Sequence, residues 1–174
     1  MRLFVAVNFS DETKSRLAAL RDELRAKSAG GNFSADENLH LTLAFLGECD
    51  AKQLSAAKNA LDSLSAPPAI DICVDRIGRF SRNGGDIWWA GVAENAALDA
   101  LQQDLANKLI SAGFNLESRK YSPHVTLARE VATDAKPWRI TPFGESVNSA
   151  GLMKSERIRG KLTYTAVHKK IIYN

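Results

Sequence analysis

Two of the three histidines in this 174-residue chain head the same short pattern, His-x-Thr-Leu. His40 precedes Thr42, and His124 precedes Thr126. In a β-strand, residues i and i+2 point to one face, so each imidazole would lie beside a threonine hydroxyl, with apolar side chains on the opposite face. An imidazole titrates near neutral pH, and a hydroxyl can donate to an anionic oxygen. Each predicted strand therefore presents one proton-transfer group and one anion-binding group.

Two such strands facing each other would supply what hydrolysis of a cyclic phosphodiester requires. A base has to deprotonate the attacking water and an acid has to protonate the departing ribose oxygen, and each contributes roughly 10²–10⁴-fold. His40 and His124 can perform both steps without a metal ion or cofactor. One isolated pattern would be a weak signal, and its repetition favours catalysis. The third histidine, His168, lies in a lysine-rich stretch and is expected at the surface.

The elements that must position these residues follow from the hydrophobic patterns. A helix is expected to start at Ser10, which can cap it, and to end at Gly30-Gly31, and another to run over Asp50–Leu64 until Pro67-Pro68. A third is indicated by leucines at helical spacing before Gly113, at positions 98, 101, 105 and 109. The predicted strands are Arg2–Phe9, Leu39–Leu46, Ile70–Phe80, Asp86–Ala93, Pro123–Arg129, Ser146–Lys154 and Lys161–Ile171.

The order of strand, helix and motif strand occurs twice in the chain, and the two copies are related by one constant shift in residue number. His40 and His124 are 84 residues apart, and the same shift places Leu3 on Ile87 and Leu17 on Leu101. A single duplication differs from a solenoid, which needs at least about three repeats. We therefore expect one domain over residues 1–174, made of pseudo-repeats at approximately 1–84 and 85–174. Two similar lobes would place equivalent residues across a shared cleft.

Composition favours an ordinary folded domain. Hydrophobic residues make up 45% and charged residues 25% of the chain, and the net charge of +3 permits a polyanionic partner without requiring one. Cys49 and Cys73 form no Cys-x-x-Cys pair, and the N-terminal apolar run is too short for a signal peptide. A cytoplasmic monomer without a membrane segment is expected. Neither a zinc-ligand cluster, a nucleophile elbow nor a glycine-rich phosphate loop is found.

Arg129 follows the second motif and could clamp a phosphate, because a guanidinium can bind two oxygens at once. Strand alternation places it on the face opposite His124, so a bulge or a strand end would be needed to turn it into the cleft.

Phe4 and Phe80 could stack a base, although core packing is the expected role of each. Adjacent tryptophans at 88 and 89 must face opposite ways, and the arginines at 76, 79 and 82 could form either a basic rim or an ordinary solvated face.

The two motif segments, LHLTLAFLGE (residues 39–48) and SPHVTLAR (residues 122–129), resemble the 2H phosphoesterase superfamily. They are most similar to its bacterial and archaeal RNA 2′,3′-cyclic phosphodiesterases, also called 2′-5′ RNA ligases. RLFVAV near the start, IWWAGV in mid-chain and the region of Ser155 and Tyr164 fit the same branch.

This resemblance implies a bilobal α+β fold, with antiparallel sheets lining a central cleft and helices packed outside. It also implies that His40 is the proton donor, that His124 is the proton acceptor, and that Thr42 and Thr126 hold phosphate oxygens. The partner would be RNA or a nucleotide with a 2′,3′-cyclic phosphate, opened to a 2′-phosphate, with weak 2′-5′ ligation in reverse. Alternatives that stay open are a small substrate, such as ADP-ribose cyclic phosphate or a 2′-5′ oligoadenylate, and a non-catalytic RNA-binding protein.

Overall fold

A computed structural model describes residues 1–65 and 69–172. Across these residues the chain forms three α-helices, nine β-strands and a short 3₁₀ helix at Asp36–Asn38. The helices are α1 (Asp11–Ala26), α2 (Ala51–Asp62) and α3 (Ala96–Ser111). The strands are β1 (Arg2–Asn8), β2 (Ser28–Phe33), β3 (His40–Glu48), β4 (Ile70–Phe80), β5 (Asp86–Val92), β6 (His124–Thr133), β7 (Trp138–Val147), β8 (Ser149–Ile158) and β9 (Lys161–Ile171).

The strands form two open, antiparallel sheets, which confirms the predicted α+β class. One sheet has four strands in the order β3-β1-β8-β9, and the other has five in the order β2-β6-β5-β4-β7. In each sheet the motif strand pairs with the strand that precedes it in its repeat, β3 with β1 and β6 with β5. The two motif strands thus have corresponding partners, although β3 is an edge strand of its sheet and β6 is also paired with β2.

The 84-residue register recurs in the observed elements: β1, α1 and β3 of the first half correspond to β5, α3 and β6 of the second. The sheets exchange their outer strands, however. Strand β4 comes before residue 84 but pairs with β5 and β7, whereas β8 and β9 belong to the sheet of β1. A boundary near residues 84 and 85 therefore separates the repeated units and does not separate the sheets.

The helices bury apolar stripes against the sheets. In α3 the four predicted leucines at 98, 101, 105 and 109 are all buried. In α1 Leu17 and Leu24 are buried and Leu20 is partly buried. Helix α1 contacts β6 and β7 of the five-stranded sheet, while α3 contacts β3 of the four-stranded sheet, and buried residues from both sheets form one continuous hydrophobic cluster. Within residues 1–65 and 69–172, no helix is long and apolar enough to cross a membrane.

The predicted N-cap of the first helix is confirmed, and the second helix is also capped at its N-terminal end. Ser10 accepts a hydrogen bond from the Thr13 amide at 3.3 Å, and Asp50 forms a reciprocal capping box with Gln53. Helix α1 ends at Ala26, not at Gly30-Gly31 as predicted. The Pro67-Pro68 stop predicted after α2 lies outside the described residues.

Strand β2 was not predicted, and the predicted strand Ser146–Lys154 was wrong in its bounds. Gly30 and Gly31 lie inside β2, a polar strand that no propensity scale favours and that exists because its backbone pairs with the edge of β6. The predicted strand Ser146–Lys154 spans the end of β7 and the start of β8, which are separate strands. Strand β7 contains Pro142, which an edge strand tolerates because one side of its backbone needs no sheet partner.

Candidate active site

Strands β3 and β6 deliver both motifs to one cleft of about 960 Å³. His40 and Thr42 enter from the four-stranded sheet, and His124 and Thr126 from the five-stranded sheet. The residues between and after them, such as Leu41 and Val125, are fully buried on the opposite face. The cleft is further lined by Arg2, Phe4, Asn32, Phe33, Ser34, Ala35, Asn38, Phe45, Arg129, Ser155, Glu156, Arg157, Lys161, Leu162 and Tyr164.

Each motif histidine is fixed by a backbone carbonyl two residues upstream. Nδ1 of His40 lies 2.6 Å from the Asn38 carbonyl oxygen, and Nδ1 of His124 lies 2.7 Å from that of Ser122. A carbonyl oxygen only accepts, so Nδ1 carries the hydrogen in both rings. In the neutral ring Nε2 is therefore the unprotonated nitrogen, available to accept or return a proton.

The two threonines are used differently. Thr42 Oγ1 lies 2.9 Å from Nε2 of His40, and because neutral Nε2 accepts, the hydroxyl donates to it. Among the described residues, Nε2 of His124 has no comparable partner, and Thr126 stands beside it with a partly buried side chain. The first imidazole is thus engaged by its own motif, while the second has a free lone pair.

Burial lowers the pKa of His40 below its ordinary value, and the pKa of His124 is lowered for the same main reason. The hydrogen bond of each Nδ1 to its carbonyl opposes this shift. Arg129 lowers the pKa of both histidines further by its positive charge, and Lys14 and His124 act in the same direction on His40. Both imidazoles are therefore neutral near pH 7, and the charges of Arg129 and Lys14 give the cleft a positive potential suited to an anion.

Arg129 reaches the cleft because β6 contains the bulge that strand alternation requires. Trp89 pairs with Thr126 but Trp88 pairs with Ala128, so one residue of β5 is matched by two of β6. Leu127 and Ala128 are consequently both fully buried, and the alternation resumes with Arg129 on the face of His124.

The first motif strand has the same bulge. Val5 pairs with Ala44 and Ala6 with Thr42, so Leu43 and Ala44 are both buried and Phe45 returns to the cleft face. Phe45 is 50% exposed, and the Arg2 guanidinium lies 5.0 Å from the centre of its ring. Sequence analysis missed Phe45, because only the strand pairing reveals the bulge.

Aromatic rings surround each imidazole. Phe4 and Tyr164 lie 4.9 and 5.2 Å from the ring of His40, and Phe80 and Trp89 lie 5.1 and 6.1 Å from that of His124. These rings supply the desolvation that lowers both histidine pKa values. Phe4 and Phe80 thus pack as structural partners of the catalytic candidates.

The remaining predicted residues do not line the cleft. Trp88 is fully buried and Trp89 faces the other way, as adjacent strand positions require. Arg76 and Arg79 pair with Asp75 and Asp86, and Arg82 lies over the ring of Phe80, so the three arginines satisfy local contacts. His168 is partly exposed and lies 2.7 Å from Asp62.

Several supporting residues were not predicted. Buried Arg21 donates to the Ser34 carbonyl at 2.8 Å and pairs with Asp36, which anchors the loop at the cleft edge. The signal for Arg21 is its position between Leu17 and Leu24 on the buried stripe of α1. The hydroxyl of Tyr121 donates to the Thr42 carbonyl at 2.8 Å and so joins the two motif segments, for which the sequence carries no signal.

Asn38 is nearly buried, at 9% exposure, and its side-chain amide donates to the Leu162 carbonyl at 3.0 Å. The same residue supplies the backbone carbonyl that orients His40. The corresponding residue before the second motif, Ser122, is exposed. The first histidine is therefore anchored more firmly than the second.

The assembled site combines two proton-transfer groups, two hydroxyls and one guanidinium in a cleft that favours anions, a set suited to phosphoryl chemistry. Within the described part of the chain, no group of three or more His, Cys, Asp or Glu residues could hold a metal ion.

Comparison with known proteins supports the same chemistry. The chain is 32% identical over 131 residues to the RNA 2′,3′-cyclic phosphodiesterase of Thermotoga maritima, covering 74% of this chain and 70% of that protein. It is 30% identical over 171 residues to the enzyme of the same name from Escherichia coli K12, covering 97% and 94%. The crystal structure of E. coli LigT complexed with 3′-AMP superimposes with a TM-score of 0.87 and 25% identity, over 99% of this chain and 98% of that one.

The family described as LigT like Phosphoesterase matches two segments, residues 7–89 and 91–164, and each segment contains one His-x-Thr-Leu motif. Together they span most of the chain. This protein therefore belongs to the LigT-like phosphoesterase family.

Proposed function

We propose that this protein is an RNA 2′,3′-cyclic phosphodiesterase that opens a terminal cyclic phosphate to a 2′-phosphate. The observation that carries the proposal is the pair of imidazoles in one cleft, each fixed through Nδ1 so that Nε2 is the working atom. Two relatives that bear this name are each 32% identical to the chain, over 131 and 152 aligned residues, which supports the substrate class.

We assign His124 as the general base and His40 as the general acid. His124 Nε2 takes a proton from water, whose oxygen attacks phosphorus. The bond from phosphorus to the ribose O3′ breaks, and the His40 imidazolium gives its Nε2 proton to O3′. The free lone pair on Nε2 of His124 supports its role as base, since the corresponding nitrogen of His40 is already engaged by Thr42.

His40 has to carry a proton before turnover, although burial lowers its pKa. The bound phosphodiester provides the missing charge, because an adjacent anion favours the imidazolium and raises the pKa of His40. After the reaction His124 is protonated and His40 is neutral, and exchange with water resets both. Proton transfer is thus coupled to substrate occupancy.

The remaining predicted site residues bind the substrate. Thr42 and Thr126 hold phosphate oxygens from opposite sheets, and Arg129 places its guanidinium against the charge that develops at phosphorus. The exposed ring of Phe45 provides a flat surface for the terminal base. We further propose that residues 1–174 act as a single domain, as a monomer and in the cytoplasm, where Cys49 and Cys73 stay as free thiols.

The experiment is turnover of a short RNA ending in a 2′,3′-cyclic phosphate, with EDTA present. A 2′-phosphate product is expected, and substitution of either His40 or His124 by Ala should reduce kcat by at least about 10²-fold. His168→Ala is the matched control. Turnover that depends on added metal, a 3′-phosphate product, or an active His124→Ala variant would contradict the mechanism.

The same assay separates the alternatives. ADP-ribose 1″,2″-cyclic phosphate and a 2′-5′ dinucleotide are supplied in parallel with the RNA. A higher kcat/KM on either would reassign the substrate while leaving the two-histidine chemistry in place. Binding of RNA without turnover of any of the three would indicate a non-catalytic protein. To test 2′-5′ ligation, the enzyme that forms the 2′-phosphate is incubated with RNA ends at high concentration.

A further inference from the structure

The cleft continues beyond the histidines along the hairpin of β8 and β9. Strand register places Arg2 opposite Ser155 and Ser155 opposite Tyr164. Arg157 lies two residues after Ser155, so strand alternation puts it on the same face, about 7 Å further along the strand. Arg2, Ser155, Arg157 and Tyr164 all line the cleft, and together we call them the hairpin floor.

Two arginines of the hairpin floor carry uncompensated charge. Among the described residues, neither Arg2 nor Arg157 has a carboxylate within salt-bridge distance, and both side chains belong to exposed residues. Their non-ionic contacts are the ring of Phe45 for Arg2 and the Gly160 carbonyl at 3.2 Å for Arg157.

The acidic residues near this surface are already paired. Glu156 lies 3.3 Å from Lys154, and Glu37 forms an ion pair with Lys161 that lowers the pKa of Glu37. Neither carboxylate therefore neutralises Arg2 or Arg157. The hairpin floor is left with two positive charges in the open part of the cleft.

Residues 32–35 of the cleft wall have no ionisable side chain of their own, and the charge beside them is that of Arg129, which pairs with Asn32 across the strands. Arg129 already belongs to the catalytic centre. Among the described residues that line the cleft, the arginines outside that centre are Arg2 and Arg157 of the hairpin floor. The hairpin that carries this floor closes through a tight two-residue turn. Arg159 has φ 53° and Gly160 has φ 79°, as such a turn requires.

We propose that the hairpin floor binds the RNA chain on the 5′ side of the cyclic end, with Arg2 and Arg157 contacting backbone phosphates. The proposal rests on the function proposed above and adds to it a subsite for the preceding nucleotides. The enzyme thereby prefers a polynucleotide end to a free cyclic mononucleotide. Phosphate contacts supply affinity without sequence preference, so the RNA sequence upstream of the end has little influence on rate.

The test compares kcat/KM for adenosine 2′,3′-cyclic phosphate with that for an RNA tetranucleotide ending in the same nucleotide. In the unchanged protein the tetranucleotide should be favoured by at least about tenfold at low salt. Arg157→Gln should reduce this ratio by about fivefold or more. It should also flatten the dependence of log kcat/KM on log salt for the tetranucleotide by about 0.7, the contribution of one phosphate contact on a single strand.

Arg159→Gln is the matched control, since Arg159 is exposed on the same turn but does not line the cleft. It should keep both the ratio and the salt dependence. Equal kcat/KM on the two substrates, or equal effects of Arg157→Gln and Arg159→Gln, would overturn the subsite while leaving the catalytic proposal intact. Failure to hydrolyse either substrate would instead refute the proposed function.

Discussion

Phe45 and Arg129 occupy equivalent positions, each three residues beyond its motif threonine and immediately after a bulge in its strand. The duplicated frame therefore presents an aromatic ring from one sheet and a guanidinium from the other. From this asymmetry we expect recognition to be divided between the two lobes, with a stacking surface for a base on one side and a phosphate contact on the other.

Removal of the guanidinium should impair turnover and change the titration of both histidines. Arg129→Ala is expected to lower kcat/KM by roughly 10²-fold, the usual effect of losing a donor to developing charge. Because Arg129 lowers the pKa of His40 and His124, its loss should raise both pKa values. Histidine titration followed by NMR measures the second effect independently of catalysis.

Arg139→Ala provides the control for Arg129→Ala, because Arg139 is an exposed arginine on β7 that does not line the cleft. It should leave the titration of both histidines unchanged. Arg129→Ala could instead lower kcat/KM without shifting the pKa of either histidine. Arg129 would then lie too far from the imidazoles to contact a phosphate bound between them, and the proposed contact would be wrong.

Anion binding should couple to proton uptake. Burial lowers the pKa of both motif histidines, and a bound anion raises it. Sulfate keeps two charges near neutral pH, so its binding should tighten as pH falls towards the histidine pKa values. Calorimetry in two buffers of different ionisation enthalpy would detect the protons taken up. Affinity that is independent of pH would contradict this linkage.

The same shifts affect folding stability in a defined direction. The histidine pKa is about 6.5 in the unfolded chain and lower in the folded protein, so between these values the unfolded state binds more protons. The free energy of unfolding should therefore decrease as pH falls below about 6.5. Urea unfolding at pH 7.5 and pH 5.5 measures this loss. A double His40→Asn, His124→Asn variant should lose less stability over the same interval.

The strands that carry chemistry could be predicted because their signals are local. The His-x-Thr spacing, the leucine stripes of α1 and α3 and the 84-residue register all depend on neighbours in sequence. The bulges at Leu43 and Leu127 could not be predicted, since they arise from how β3 and β6 pair with other strands. Without them, alternation assigns Arg129 to the wrong face and conceals Phe45.

Other features depend on contacts between distant parts of the chain. Strand β2 has a sequence that predicts a turn, and it becomes a strand only because β6 offers an unpaired edge. The exchange of outer strands between the two sheets leaves no periodic signal. Nothing in the sequence distinguishes Asn38 from an ordinary polar residue, because the carbonyl to which its side chain donates belongs to Leu162, 124 residues away.

Asn38 is expected to be a positioning residue for His40. Asn38→Ala keeps the carbonyl that accepts from Nδ1 but removes the side-chain bond to the Leu162 carbonyl. A buried hydrogen bond of this kind contributes about 1 kcal/mol, and the released loop should let the His40 ring reorient. We expect kcat to fall by about tenfold with a smaller change in KM, and the alkaline limb of the pH profile, where the general acid His40 loses its proton, to shift.

Ser122→Ala is the corresponding change before the second motif. Ser122 is exposed and orients His124 through its backbone alone, so this variant should retain both kcat and the pH profile. A purely structural role for Asn38 would lower the unfolding free energy without moving the pH profile, which distinguishes the two interpretations.

Gly78 should tolerate no side chain, because the ring of Trp89 lies directly over it. A Cβ at position 78 would lie 2.2 Å from Cη2 of Trp89, well inside van der Waals contact. Gly78 and Trp89 are cross-strand partners, so the ring can escape only by leaving its place beside His124 and Phe80. Gly78→Ala is expected to reduce the free energy of unfolding by about 1–3 kcal/mol, the usual cost of overpacking.

The displaced ring should also change the titration of His124, since Trp89 helps to desolvate that imidazole and thereby lowers its pKa. In Gly78→Ala the pKa of His124 should move up towards its ordinary value while that of His40 stays in place, because the rings around His40 belong to Phe4 and Tyr164. Gly30→Ala is the control, as a Cβ at position 30 would have no atom within 4 Å. Equal shifts of both histidines in Gly78→Ala would indicate a general loosening of the cleft and contradict the local role of Trp89.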